Sequence, residues 1–156
     1  MDFPTIDRLL EALKASDPQY REAATEELWQ LWFNQKGAQG FQSLRQSQVL
    51  MDNGYLKDAE ALLSQVIADL PDFAEAWNRR AVLYYMQDRY LEAMADCQRV
   101  IELIPYHFGA LHGLGLCHAA LGQYSQAIQA FRQALVVQPY AITNQRLLLE
   151  CTARLS

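Results

Sequence analysis

No cysteine pair, no run of basic residues and no long apolar stretch occurs in this 156-residue sequence, and each absence removes a class of function. The three cysteines, Cys97, Cys117 and Cys151, are odd in number and form no C-x-x-C pair, so neither a disulfide framework nor a zinc knuckle is indicated. Reduced thiols fit a cytoplasmic compartment. Thirteen basic residues against eighteen acidic ones give a net charge of −5, which leaves no cationic footprint for a phosphate backbone and argues against nucleic acid as partner. The opening "MDFPTIDRLLEALKAS" has no basic n-region, apolar core or cleavage site, and no segment approaches the length of a membrane span. A soluble chain without export or membrane insertion is expected.

Glycine is scarce but clustered. "GALHGLGLCHAALG", residues 109 to 122, holds four of the seven glycines, and a dinucleotide loop would require G-x-G-x-x-G between a strand and a helix. His118 stands where the third glycine of that fingerprint belongs. The cluster therefore needs a different explanation.

What the sequence does have is a period. "AEAWNRRAVLYYMQDRYLEAMADCQRVIELIP" from Ala74 aligns with "FGALHGLGLCHAALGQYSQAIQAFRQALVVQP" from Phe108 at an offset of 34 residues. Trp77 meets Leu111, Ala81 meets Gly115, Tyr90 meets Tyr124, Ala93 meets Ala127, Cys97 meets Phe131 and Pro105 meets Pro139. One more step back brings in Ser47, Leu56, Ala59, Leu63 and Pro71. Units at 40–73, 74–107 and 108–141 follow.

This period, with its fixed large and small positions, resembles the tetratricopeptide repeat, a helix-turn-helix unit that stacks into a superhelix. Leu114, Gly115, Tyr124, Ala127, Phe131, Ala134 and Pro139 carry the resemblance most closely. Arg80 and Cys97 depart from it in the second unit, and Ser43 and Gln46 in the first. Gly115, Ala81 and Ser47 share the site where the two helices of one unit close up, and Gly122 suits the turn between them. The glycines are thus expected to serve packing and turns.

Two helical patterns precede the repeats. Ile6, Leu9, Leu10 and Leu13 recur at helical spacing; Asp17 and Pro18 then offer an N-cap and a first helical residue, and Leu28, Leu31 and Trp32 stripe a second helix with Trp29 and Phe33 beside them. Residues 1–36 read as a hairpin cap packed on the first repeat, with "KGAQG" (36–40) as the connection. Residues 142–156 read as a capping helix that turns Ile142, Leu147, Leu148, Cys151 and Leu155 inward. The expected fold is all-α, a solenoid of nine helices.

His107, His112 and His118 lie close to Cys117, but His112 and His118 are six residues apart and Cys117 is five from His112. A ligating face would need spacings of three or four. His118 takes a position usually held by tyrosine and is expected between helices, with His112 toward the inner face. With no Ser/His/Asp set and no activated cysteine, acids such as Glu26 and Glu27 read as solvated surface. No enzyme, cofactor or metal is expected.

The resemblance implies a concave groove lined by the first helix of each unit. By register its residues are Phe41, Leu44, Gln48 and Met51 in the first unit, Asn78, Val82, Tyr85 and Met86 in the second, and His112 and Leu116 in the third. An extended or helical peptide would set apolar anchors on Phe41, Tyr85, Met86 and Leu116 while Gln48 and Asn78 hold its backbone. The carboxylate clamp of the chaperone-tail branch is largely absent, since Leu44, Gln48, Asn78, Gly109 and Gly113 occupy its sites; Arg79 and Arg80 leave a trace of positive charge. Between Leu103 and Gln145 only Arg132 is charged, so Ser125, Gln126, Gln129 and Gln133 form a neutral face. A protein-binding adaptor, perhaps serving complex assembly, is the expected function; a self-associating homodimer is the alternative.

Overall fold

The computed structural model describes residues 3–156, and among them are nine helices and no strand. They are α1 (Phe3–Ala12), α2 (Pro18–Phe33), α3 (Gly37–Asp52), α4 (Leu56–Asp69), α5 (Ala74–Met86), α6 (Tyr90–Leu103), α7 (Phe108–Ala120), α8 (Tyr124–Val137) and α9 (Ile142–Arg154). The starts of α5, α7 and α9 are 34 residues apart, as are those of α4, α6 and α8. Sequence period and structural period coincide, and the result is a tetratricopeptide-type helical solenoid.

Each hairpin closes through small residues. Ala59, Ala93 and Ala127 are fully buried at equivalent sites on α4, α6 and α8. On α7, a Cβ at Gly115 would lie 2.5 Å from the ring of Phe131, which is itself fully buried. Only hydrogen fits between these helices, which offsets glycine's cost of about 1 kcal/mol in a helix interior. Gly122 turns α7 into α8 at φ +73°, the left-handed value that suits a helix C-terminus.

Consecutive helices pack pairwise from α3 to α9, while α3 touches α5 and α5 touches α7. Those second-neighbour contacts place α3, α5 and α7 side by side on one face. Arg80, an apparent departure at an inner position, is explained here. Its guanidinium reaches Asp96 on α6 in a bidentate pair at 2.8 and 2.9 Å and Ser64 on α4 at 3.1 Å. The charge leans away from the groove and ties three helices together.

The amino-terminal hairpin differs from expectation in where it docks. Asp17 does cap α2, accepting from the Gln19 amide at 2.9 Å with Pro18 as the first helical residue. Yet the apolar stripe of α1 and α2 does not cap the first repeat. Ile6, Leu9, Leu13, Leu28 and Trp32 share a core with Val100, Ile104 and Phe108, across the junction of the second and third units. The reason is local: a Cβ at Gly109 would lie 2.7 Å from Trp29, so the missing side chain there receives the indole. Trp29 meets Phe108 edge-on at 5.3 Å, and Trp32 stacks on His107 at 4.1 Å.

Three smaller corrections follow. Residues 37–40 are not a connection, because α3 begins at Gly37 and Gly40 is buried against Phe73. His118 is half-buried and contacts Gln123 Oε1 at 2.8 Å at the α7–α8 turn, so it is no core residue. On α9, Cys151 and Asn144 are buried and Leu147 and Leu148 pack on α8, but Ile142 and Leu155 face solvent. A single helix on the end of a stack buries one stripe, and these two lie off it.

Candidate functional site: the concave face

The face made by α3, α5 and α7 is crossed at one end by α2, and the crossing divides it into cavities. The largest central one, about 740 Å³, lies between α2 and α5; Trp29 and Phe33 wall it, Asn78, Arg79 and Val82 form its floor, and Gln138 and Tyr140 close it. Arg21 holds that closure, its guanidinium 4.1 Å above the Tyr140 ring. Next to it, a crevice of about 180 Å³ runs between α5 and α7, bounded by Val82, Tyr85, His112 and Leu116. A third cavity of about 350 Å³ sits between α2, α3 and α5, against Phe41, Leu44 and Gln48.

Eight of the ten residues expected in the groove therefore line these three cavities: Phe41, Leu44, Gln48, Asn78, Val82, Tyr85, His112 and Leu116. Two do not. Met51 is buried among Leu63, Phe73 and the α3–α4 core, so it offers a ligand almost no surface. Met86 is 55% exposed at the last turn of α5, outside the linings of these cavities. Asn78, expected to hold a peptide backbone, is itself buried with its amide 3.4 Å from Glu75. Val82 is the residue common to both central cavities that stands well exposed, at 44%.

Polar contacts fix the rim. His112 Nδ1 lies 2.6 Å from Asn144 Oδ1, which joins α7 to α9. Gln48 accepts from Arg79 and donates to Asp52 at 2.7 Å, so its amide is committed at both ends. Cys97 and Cys117, both free and buried, share the floor of the narrow crevice. The hydrogen bond with Cys117 pushes the Cys97 thiol up, with burial adding to it, while the same bond holds Cys117 below its ordinary value.

Behind the face lies an arrangement that sequence reasoning missed. His107 and Glu75 are completely buried, with Nε2 and Oε1 2.6 Å apart. His107 Nδ1 accepts the Ala110 amide at 3.0 Å as the N-cap of α7, so the proton resides on Nε2 and is donated to Glu75. The signal was present in part: histidine at the residue before a helix start is a capping position, but its partner 32 residues away has no local signature. His107, His112 and His118 thus face Glu75, Asn144 and Gln123, three separate partners. Among the described residues no group of three or more histidine, cysteine or acidic side chains is placed to hold a metal ion.

Comparison with known proteins bears on this architecture directly. A tetratricopeptide repeat family model matches residues 72–137. A TPR repeat-containing protein of Rhizobium etli is 30% identical over 142 residues, covering 90% of this chain and 69% of that one. The chain belongs to the tetratricopeptide repeat family. Other tetratricopeptide resemblances are partial: the BBSome complex member BBS4 homolog of Drosophila melanogaster is 26% identical over 64% of this chain, which spans only 20% of that protein. Among solved structures, MamA matches 98% of this tetratricopeptide chain and 81% of its own length, with a TM-score of 0.67 at 21% identity. The first TPR of Spaghetti (RPAP3), bound to the HSP90 peptide SRMEEVD, matches 71% and 88% with a TM-score of 0.69 at 17% identity. Among the described residues no helix is long and apolar enough to cross a membrane.

Proposed function

We propose that this protein is a non-catalytic adaptor that holds a segment of another protein on the concave face of α3, α5 and α7. One observation carries the reading: apolar and aromatic side chains from all three helices, together with α2, border adjoining cavities on that face. Such a surface suits a peptide better than a reaction, because it offers anchors without an acid, base and nucleophile in mutual reach. The solved relative bound to an HSP90 peptide supports the choice of a peptide ligand. In this reading α1–α2 act as a wall of the groove as well as a cover for the second and third units, with α9 capping the last.

The test uses Val82→Trp, which fills the face where the two central cavities meet. Val82 is exposed, so helicity should be retained. A protein captured from lysate by the wild-type chain and lost from the variant supports the adaptor; undiminished capture by Val82→Trp places the partner elsewhere and refutes this face. A second reading, self-association, draws on the exposed apolar residues Ile142 (76%) and Leu149 (70%), one helical face of α9. Light scattering of wild type against Ile142→Glu/Leu149→Glu decides it, since a dimer built there would fall to monomer mass.

A further inference from the structure

We infer that the cavity between α2, α3 and α5 is a subsite for an acidic side chain, so that the partner segment carries a carboxylate flanked by aromatic or aliphatic residues. The inference rests on the groove reading above and goes further by naming the ligand chemistry. Two arginines, Arg45 and Arg79, border the cavity beside Phe33 and Phe41, and no carboxylate lines it. An adjoining depression of about 840 Å³ along α3 shares Phe41 and Arg45 and also lacks an acid. In a chain of net charge −5, that is a local reversal of sign.

Neither guanidinium is fully satisfied. Arg8, Arg80, Arg89, Arg99 and Arg146 each have a carboxylate within 3.5 Å. Arg45 is exposed and has no ion pair or hydrogen bond among the described residues. Arg79 lies 4.9 Å over the Phe33 ring and donates Nη1 to Gln48. Its Nε is buried without a hydrogen-bond partner. The nearest acid, Glu75, is 3.8 Å from that nitrogen and already accepts from His107. Donors thus remain unused on both arginines, and a carboxylate takes paired guanidinium donors in bidentate geometry. The rings of Phe33 and Phe41 supply apolar contact on either side, as an interface anchor requires. Phe33 and Gln30 come from α2, so the subsite exists only because the amino-terminal hairpin crosses the repeats.

The test is fluorescence polarisation with two labelled, terminally blocked octapeptides, one with a Phe-Glu-Glu-Phe core and one with Phe-Gln-Gln-Phe. The acidic peptide should bind about tenfold more tightly at low salt, with the gap narrowing at high salt. Arg45→Gln should weaken the acidic peptide by about three- to tenfold, leave the neutral one unchanged and retain full helicity, because this side chain holds nothing in the fold. Arg79→Gln should do the same more strongly, but Arg45→Gln keeps the test free of folding effects. Equal binding of the two peptides, binding of neither, or indifference to Arg45→Gln overturns the inference. If both peptides bind alike and Val82→Trp abolishes both, the groove reading stands while the acidic subsite falls. If charge discrimination survives Val82→Trp but not Arg45→Gln, the subsite stands and the central groove falls.

Discussion

Replacing His107 with alanine should be among the most damaging single changes in this protein, for a reason that is electrostatic before it is steric. Glu75 and His107 are both completely buried and meet at 2.6 Å. With the imidazole gone, the carboxylate keeps only the Asn78 amide at 3.4 Å and Arg79 at 3.8 Å, a poorly compensated buried charge that costs about 3–5 kcal/mol. Loss of the α7 cap at the Ala110 amide adds about 1 kcal/mol. The stack on Trp32 disappears as well. Glu75→Gln should be far milder, about 1 kcal/mol, because the new amide oxygen can still accept from Nε2. The double variant should then cost less than the sum of the singles, since the charge that made His107→Ala severe is gone. Urea unfolding followed by far-ultraviolet circular dichroism and tryptophan emission gives all four values. If His107→Ala costs under about 1 kcal/mol, or the two changes simply add, the pair is not the tie between hairpin and repeats that its geometry implies.

Other perturbations separate packing from propensity. Gly115→Ala forces a Cβ to within 2.5 Å of Phe131 and should destabilise by about 1–3 kcal/mol, whereas Gly113→Ala meets only Cys97 Sγ at 3.2 Å and should be neutral or stabilising by up to about 1 kcal/mol; thermal melts of the two variants check the contrast. Hydrogen bonds from Arg89 hold the Glu60 carboxyl below its ordinary value of 4.5. Its contribution, roughly 0.2–1 kcal/mol at this partly exposed pair, is present above that value and lost as pH falls through the lower folded one. The stability gap between wild type and Glu60→Gln should therefore be measurable at pH 6 and shrink by pH 3; an unchanged gap would refute the assignment. Asp96→Ala leaves Arg80 without its bidentate partner and should cost about 3 kcal/mol or more, while an Arg80→Leu/Asp96→Leu pair, read by the same denaturation, should recover much of it.

How much of this was legible beforehand differs between the two ends of the chain. Helix starts and turns within the repeats follow from residues a few positions apart, so Pro71, Pro105 and Pro139, the buried alanines at 59, 93 and 127 and the turn glycine at 122 could be read directly. The groove was legible to the extent that register sets which side of α3, α5 and α7 faces inward; it was less legible at Met51, because an inward position near a helix end can tilt into the hairpin core. His107 and Glu75 were illegible as a pair, since nothing local marks a contact across 32 residues.

The sequence by itself determined the periodic part: a 34-residue pattern of large and small residues admits only helix pairs that stack on their neighbours, because each pair leaves one apolar face uncovered. It also determined that α1 and α2 would be helices with a stripe to bury. Only the tertiary structure decided against what. An apolar stripe states that surface must leave water but not which surface will receive it. Trp29 found the gap at Gly109, Trp32 found His107, and α2 came to lie across the second and third units. That crossing brings Phe33 beside Arg79 and encloses the cavities of the concave face, because shape complementarity between distant segments is a property of the folded surface and has no counterpart in the linear pattern.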